Sequence, residues 1–237
     1  SVLRVFDMTV GATGLTEKQA KDAGYDVEKV YTFSASHASY YPGAKNMSIK
    51  TIFDQVTGTV LGAQIVGYDG VDKRVDVMAV AIRAGMTVED LSEFELSYAP
   101  PYSSAKDPVN YAGFVATNLI SGLVKQYHWD ELDSKVADPN ITVVDLRTAA
   151  EYANQHIEDP LHIPVDELRD RLSEIPKDRP VAIFCHSGLR SYIGYRILAQ
   201  NGYDCSHMAG GFRFYASVVK DLAIGSPEDY PCGIKSS

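Results

Sequence analysis

The stretch Val181-Ala182-Ile183-Phe184-Cys185-His186-Ser187-Gly188-Leu189-Arg190-Ser191 decides how the second half of the chain is read. Val181 to Phe184 is a short apolar run after the breaker Arg179-Pro180, the pattern of a strand buried on both faces of a parallel sheet. Cys185 follows at the strand's C-terminal end, the edge at which open α/β sheets place their ligands. From Ser191 onward Ile193, Ile197 and Leu198 fall on one helical side, and Gly202 suits the position just past a helix end. The order is strand, cysteine loop, helix.

Loop amides and the first turn of a helix leave N–H groups unpaired, and the helix dipole adds positive potential there. Cysteines so placed have pKa values lowered from about 8.5 into the range ~3.5–7.5, so Cys185 is expected to be partly anionic at neutral pH. Arg190 is expected to close the loop and to offer N–H donors to an anion or to loop carbonyls. Four residues, His186, Ser187, Gly188 and Leu189, separate Cys185 from Arg190. Phosphate-hydrolysing cysteine loops are one residue longer, and the tighter ring suits an added sulfur atom better than a phosphoryl group. The stretch thus resembles the active-site loop of the rhodanese family, in which the cysteine carries a persulfide between a sulfur donor and an acceptor. The competing reading is a buried, inert thiol at a strand end.

The sequence has 237 residues, room for two ordinary domains. Hydrophobic residues at 45% and charged residues at 22% are globular values, which excludes disorder as the default. A formal charge of −9 argues against a general nucleic-acid or anionic-membrane surface. The sequence has neither an uncharged apolar run of membrane-spanning length nor a signal-peptide layout at its start. Three cysteines, Cys185, Cys205 and Cys232, are too few and too scattered for a disulfide framework or a zinc site, which points to a reducing cytoplasm.

In chain order, Val2 to Val10 reads as one strand that begins without preamble, as a fragment would. A helix follows over 16–24, with Thr16 as N-cap, Gln19 completing a capping box and Gly24 beyond its end. Val27 to Ala35 is a strand, and Met47 to Phe53 with Thr59 to Val66 a long antiparallel hairpin. Val71, Val75, Met78 and Ile82 mark an amphipathic helix ended by Gly85, and Thr87 caps a shorter one. Asp107 is an N-cap with Pro108 at N1, ahead of a helix expected over Tyr111 to Val124. The first half is therefore an α+β layer, an antiparallel sheet with helices.

Three runs carry a resemblance. They are Lys50-Thr51-Ile52-Phe53 with Gly62-Ala63-Gln64-Ile65-Val66-Gly67, the run Leu96 to Asn110 (LSYAPPYSSAKDPVN), and the loop His37-Ala38-Ser39-Tyr40-Tyr41-Pro42-Gly43. This half resembles the C-terminal dimerisation domain of the flavin- and pyridine-nucleotide-dependent disulfide oxidoreductases, in the branch holding coenzyme A disulfide reductase and NADH oxidase. The resemblance implies a homodimer through this domain, which would cover the partner's active site with two tyrosines. Tyr40 and Tyr98 take that role by motif position, with Tyr41 and Tyr102 as alternatives. Their phenols would serve as donors beside a developing thiolate, against the plainer reading of interface aromatics.

Ser121 to Asp133 reads as linker and entry to the second domain, with Trp129 as its first anchoring aromatic. Beyond it strands and helices alternate. Ile141 to Val144 is a strand, Ala149 to Asn154 a short helix and His162 to Val165 an extended segment. Asp166 to Glu174 carries Leu168 and Leu172 on one side, and Cys205 to Met208 is a strand before a helix through Val219, all of which reads as a parallel α/β sheet. Asp145-Leu146-Arg147, Glu151-Tyr152, His156-Ile157 and Gly210-Gly211-Phe212 match a rhodanese domain in order and spacing, except that Glu158-Asp159-Pro160 replaces the usual small-residue turn. Asp145, Arg147 and Glu151 read as internal hydrogen-bond and charge partners. His156, His162 and His207 lack neighbours at ligand spacing, so no metal site is expected. Cys205 reads as a strand residue, and Cys232 lies in a polar tail.

The boundaries expected are a dimerisation domain over 1–122, a rhodanese-like domain over 123–225 and a tail over 226–237. Cys185 and Arg190 are the candidate catalytic residues, with His186, Ser187, Gly188, Leu189 and Ser191 forming the persulfide and substrate loop. The expected partners are a small sulfane-sulfur donor and a thiol acceptor, with no nucleic acid and no membrane. The sequence lacks any Gly-x-Gly-x-x-Gly run, so no cofactor is expected on this chain alone. The combined resemblance implies FAD, NAD(P)H and coenzyme A for a parent enzyme whose nucleotide-binding domains would precede this chain. The alternative is a non-catalytic module that dimerises and binds a sulfur carrier.

Overall fold

The computed structural model describes residues 1–222, with side chains to 219; the expected tail and Cys232 lie outside them. The chain divides into a first unit, Ser1–Leu123, and a second that begins at Val124.

In the first unit, the run read as one strand is a hairpin, β1 (Val2–Val5) and β2 (Met8–Gly14), with Val5 opposite Met8. Phe6 makes the turn at φ 51, a left-handed conformation uncommon for a bulky residue, so no turn signal marks it in the sequence. Helix α1 (Glu17–Asp22) starts from Thr16 with the capping box to Gln19. Strands β3 (Val27–Ala35), β4 (Asn46–Asp54) and β5 (Val60–Gly67) complete an antiparallel sheet ordered β1-β2-β5-β4-β3. Helix α2 (Val71–Arg83), α3 (Val88–Glu93) with its Thr87 cap, and α4 (Pro108–Ile120) follow. Helix α4 starts at the proline and stops short of Val124, because Gly122 takes φ 70. Met47, Ile49 and Ile65 of the sheet pack on Val75 and Met78 of α2 and on Ala116 of α4, so the stripe of spaced apolar residues is what closes the layer.

In the second unit the strands are β6 (Gln126–Tyr127), β7 (Thr142–Asp145), β8 (Leu161–His162), β9 (Val181–Phe184) and β10 (Cys205–Met208). All pair in parallel in the order β6-β10-β9-β7-β8. Helices α5 (Leu132–Ala137), α6 (Ala149–Asn154), α7 (Leu189–Gln200) and α8 (Gly211–Leu222) join them. β9 is central and buried along its whole length, as its unbroken apolar run requires. From β7 the chain steps out to β8 and then returns to β9 on β7's other side. The loops after β7 and β9 therefore diverge, and Cys185 lies at that switch point.

Two expectations here are corrected. The anchoring aromatic is Tyr127, 2% exposed with its hydroxyl donating to the Ile183 carbonyl at 3.3 Å, while Trp129 is only half-buried. The segment 166–174 is turns ending in a 3₁₀ turn, Leu172–Glu174, with Leu168 buried. It lies between Pro164 and Pro176, which break longer helical runs.

Candidate active site

Cys185 follows the last residue of β9 and is fully buried. α7 begins two residues earlier than expected, so Leu189 and Arg190 belong to its first turn and the loop proper is His186 to Gly188. Gly188 sits at φ 113, open to glycine and costly to other residues, and from there its N–H donates to Cys185 Sγ at 3.2 Å. Ser191 Oγ lies 3.5 Å from the same sulfur and donates to the Gly188 carbonyl at 2.9 Å. The loop's own carbonyls are engaged elsewhere: Phe212 N–H donates to Cys185 O at 2.8 Å and Arg213 N–H to His186 O at 2.9 Å. The first turn of α8 thus spends its unpaired N–H groups on the loop backbone. Gly211 allows this approach, since a Cβ there would stand 2.7 Å from Cys185 O and from His186 C and O.

Arg190 is held by a carboxylate. Its Nη1 and Nη2 donate to Glu151 Oε2 and Oε1, each at 2.7 Å, rather than to the loop carbonyls. Glu151 is the N3 residue of α6 and also accepts from the Thr148 N–H and hydroxyl, both at 2.9 Å. The Arg190 hydrogen bonds hold the Glu151 carboxyl down at about 2, against a burial that raises it. Arg147 Nη2 donates to Asp145 Oδ2 at 2.6 Å and to the Gln155 carbonyl at 2.9 Å, and its guanidinium lies 4.0 Å from the Phe212 ring centre. Asp145, Arg147 and Glu151 are therefore internal hydrogen-bond and charge partners. His186 has its Nδ1 3.9 Å from Glu151 Oε1. Burial lowers its pKa, Glu151 opposes, and Arg213, Arg190 and Arg147 add to the lowering. Ser187 is partly exposed and Leu189 is 69% exposed at the loop's rim.

Sequence reasoning missed the buried partner of Ser191. His207 Nδ1 lies 3.2 Å from Ser191 Oγ, and burial pushes this imidazole down to about 4. The available signal was register: His207 of β10 pairs with Ile183 of β9, so strand alternation sets it on the same face of the sheet as the residue two further on, Cys185. Cys205 begins β10, where burial pushes its thiol up to about 11, the condition of an inert cysteine. Among the described residues no three His, Cys, Asp or Glu side chains are gathered to hold a metal ion.

In the first unit the Tyr40 and Tyr98 hydroxyls lie 3.3 Å apart on the surface, at 76% and 50% exposure. The Tyr98 hydroxyl raises the Tyr40 phenol's pKa. Tyr41 instead packs edge-on against His37. The loops that carry the pair are tied by buried Arg74, which donates to the Ser36 carbonyl at 2.8 Å and to Asp107 Oδ2 at 2.8 Å. Ser103 also donates to Asp107, at 2.7 Å. Burial raises the Asp107 carboxyl, but Arg74 and the Val109 and Ser103 donors leave it below its ordinary value. Nothing in the sequence singled out Arg74.

Residues 2–108 match the pyridine nucleotide-disulphide oxidoreductase dimerisation domain, and residues 128–217 match the rhodanese-like domain. The chain thus carries a dimerisation domain of the pyridine nucleotide-disulphide oxidoreductases followed by a rhodanese-like domain, as the sequence predicts. Among curated relatives, the coenzyme A disulfide reductase of Staphylococcus haemolyticus is 39% identical over 119 residues, 50% of this chain and 27% of that protein. The crystal structure of reduced Bacillus anthracis CoADR-RHD superposes with a TM-score of 0.90 at 46% identity, covering 93% of this chain and 40% of that one. A NAD-dependent persulfide reductase from A. fulgidus gives 0.81 at 39% identity, covering 90% of this chain and 39% of that one. This chain spans about a quarter of the curated relative and two fifths of each solved structure. The sequence contains no Gly-x-Gly-x-x-Gly run, the usual device of a dinucleotide cradle.

Proposed function

We propose that this chain is a sulfurtransferase working through a persulfide on Cys185, within the C-terminal part of a flavin-dependent coenzyme A disulfide or persulfide reductase. The observation that carries the reading is the sulfur's setting at the end of a central parallel strand, with the Gly188 amide on Sγ and the loop carbonyls drawn away by α8. The rhodanese-like match over 128–217 and the likeness to a persulfide reductase support it.

With thiosulfate as donor, the Cys185 thiolate attacks the outer sulfur. A new S–S bond forms at Sγ, the donor's S–S bond breaks, and its electron pair leaves with sulfite. The outer sulfur, now anionic, waits on Cys185 until a thiolate or cyanide attacks it, which returns the Cys185 thiolate. No outside oxidant or reductant is needed. His186, Ser187 and Leu189 line the approach to buried Cys185 and bias which donor reaches it. In the whole enzyme, bound FAD and NAD(P)H would supply the electrons that reduce the sulfur handed on, with coenzyme A as acceptor. The first domain joins two copies, and Tyr40 and Tyr98 face the partner's thiol site.

Incubation with thiosulfate and cyanide tests the reading. The chain should release thiocyanate, and Cys185→Ala should abolish release without changing association. No thiocyanate from the unaltered chain would leave only the alternative, a module that binds a sulfur carrier.

A further inference from the structure

Cys185, Ser191 and His207 form a line of hydrogen-bonding side chains in the interior, 0%, 0% and 6% exposed. Sγ lies 3.5 Å from Ser191 Oγ, which lies 3.2 Å from His207 Nδ1 and 2.9 Å from the Gly188 carbonyl. A serine hydroxyl has one proton and two acceptor lone pairs. While Cys185 is a thiol, its S–H and an Nδ1–H of His207 fill both lone pairs, and the Ser191 proton goes to Gly188 O. Once the sulfur is an anion it can only accept, and the Ser191 proton must turn to it. If Nδ1 were instead an acceptor, it would claim that single proton and leave the sulfur without it.

We propose that His207, holding its proton on Nδ1, is a positioning residue that turns the Ser191 hydroxyl toward the sulfur anion of Cys185, and again toward the inner sulfur of the persulfide. The persulfide half rests on the sulfur-transfer reading; the thiolate half stands without it. No covalent bond changes, and a neutral imidazole is what burial favours at this position.

The test is the rate of Cys185 alkylation by iodoacetamide against pH, read by mass on the Cys185 peptide of the full chain. In His207→Phe the profile moves up by about one pH unit, so that alkylation at pH 7 is about tenfold slower. In His207→Asn, whose amide nitrogen can take the Nδ1 place, it stays within about threefold of the unaltered chain. Ser191→Ala moves it as far as His207→Phe does, and the double variant moves it no further. Tyr127 of β6 and Arg190 of α7 interact electrostatically with Cys185, Asp145 of β7 interacts with both of them, and Tyr195 of α7 lies beside His207; none is altered in these variants. A His207→Phe profile that coincides with the unaltered one overturns the proposal, as does a His207→Asn profile displaced as far as that of His207→Phe. Absence of persulfide in the unaltered chain, with the alkylation shifts present, would count against sulfur transfer alone.

Discussion

At the scale of single residues, the sulfur's contacts divide into those near in sequence and those far from it. Cys185 and its four-residue interval to Arg190 could be read directly, because a loop's span is local. The partner of Arg190 could not, since Glu151 lies 39 residues away and only the sheet brings α6 and α7 together. Glu151→Gln removes the charge that holds Arg190 while keeping the shape, and should lower thiocyanate release by about tenfold, the scale of one lost charged hydrogen bond in a site. Unchanged release would mean that the pair does not hold the loop. His207 carries a pH effect whose sign is fixed: its imidazole titrates at 6.5 in the unfolded chain and at about 4 when folded. Below pH 6.5 the unfolded state binds a proton that the folded state refuses, so stability is full above that value. It falls as pH drops toward 4, by on the order of 3 kcal/mol. Urea unfolding across that window should lose this slope in His207→Asn; an equal slope in both would place the titration elsewhere.

At the scale of elements, capping chemistry made the helix starts legible. Thr16, Thr87, Asp107 and Thr148 each cap the helix that follows, and in each case the third helical residue completes the box. The β1–β2 turn and the 3₁₀ turn at Leu172 escaped, because neither carries a glycine or Asn-Gly signal. The apposition of α8 and the cysteine loop is likewise a tertiary fact. Gly211→Ala puts a methyl group against the backbone of Cys185 and His186 at a left-handed position. Sulfur transfer should fall at least tenfold, and persulfide formation at full rate would show the loop indifferent to α8. In the first unit, Arg74→Ala leaves the Asp107 carboxylate buried without its cation, a loss of roughly 3–5 kcal/mol by the behaviour of broken buried pairs. Thermal unfolding reads it, and an unaltered transition would deny Arg74 its tie between the two tyrosine loops.

At the scale of the whole molecule, an antiparallel unit and a parallel unit follow one another as the change from hairpin signals to alternating strand and helix signals foretells. No helix among the described residues is long and apolar enough to cross a membrane. Sedimentation equilibrium should give twice the 26.0 kDa of one chain, and Cys185→Ala should not alter it; a monomer at micromolar concentration would remove the first domain's proposed role. The most direct trial of the sulfur chemistry is the mass of the intact chain after brief exposure to thiosulfate and removal of excess. One added sulfur atom, placed on the Cys185 peptide and lost on adding cyanide, is the result expected. A chain of unchanged mass, or sulfur found on another cysteine, would contradict it.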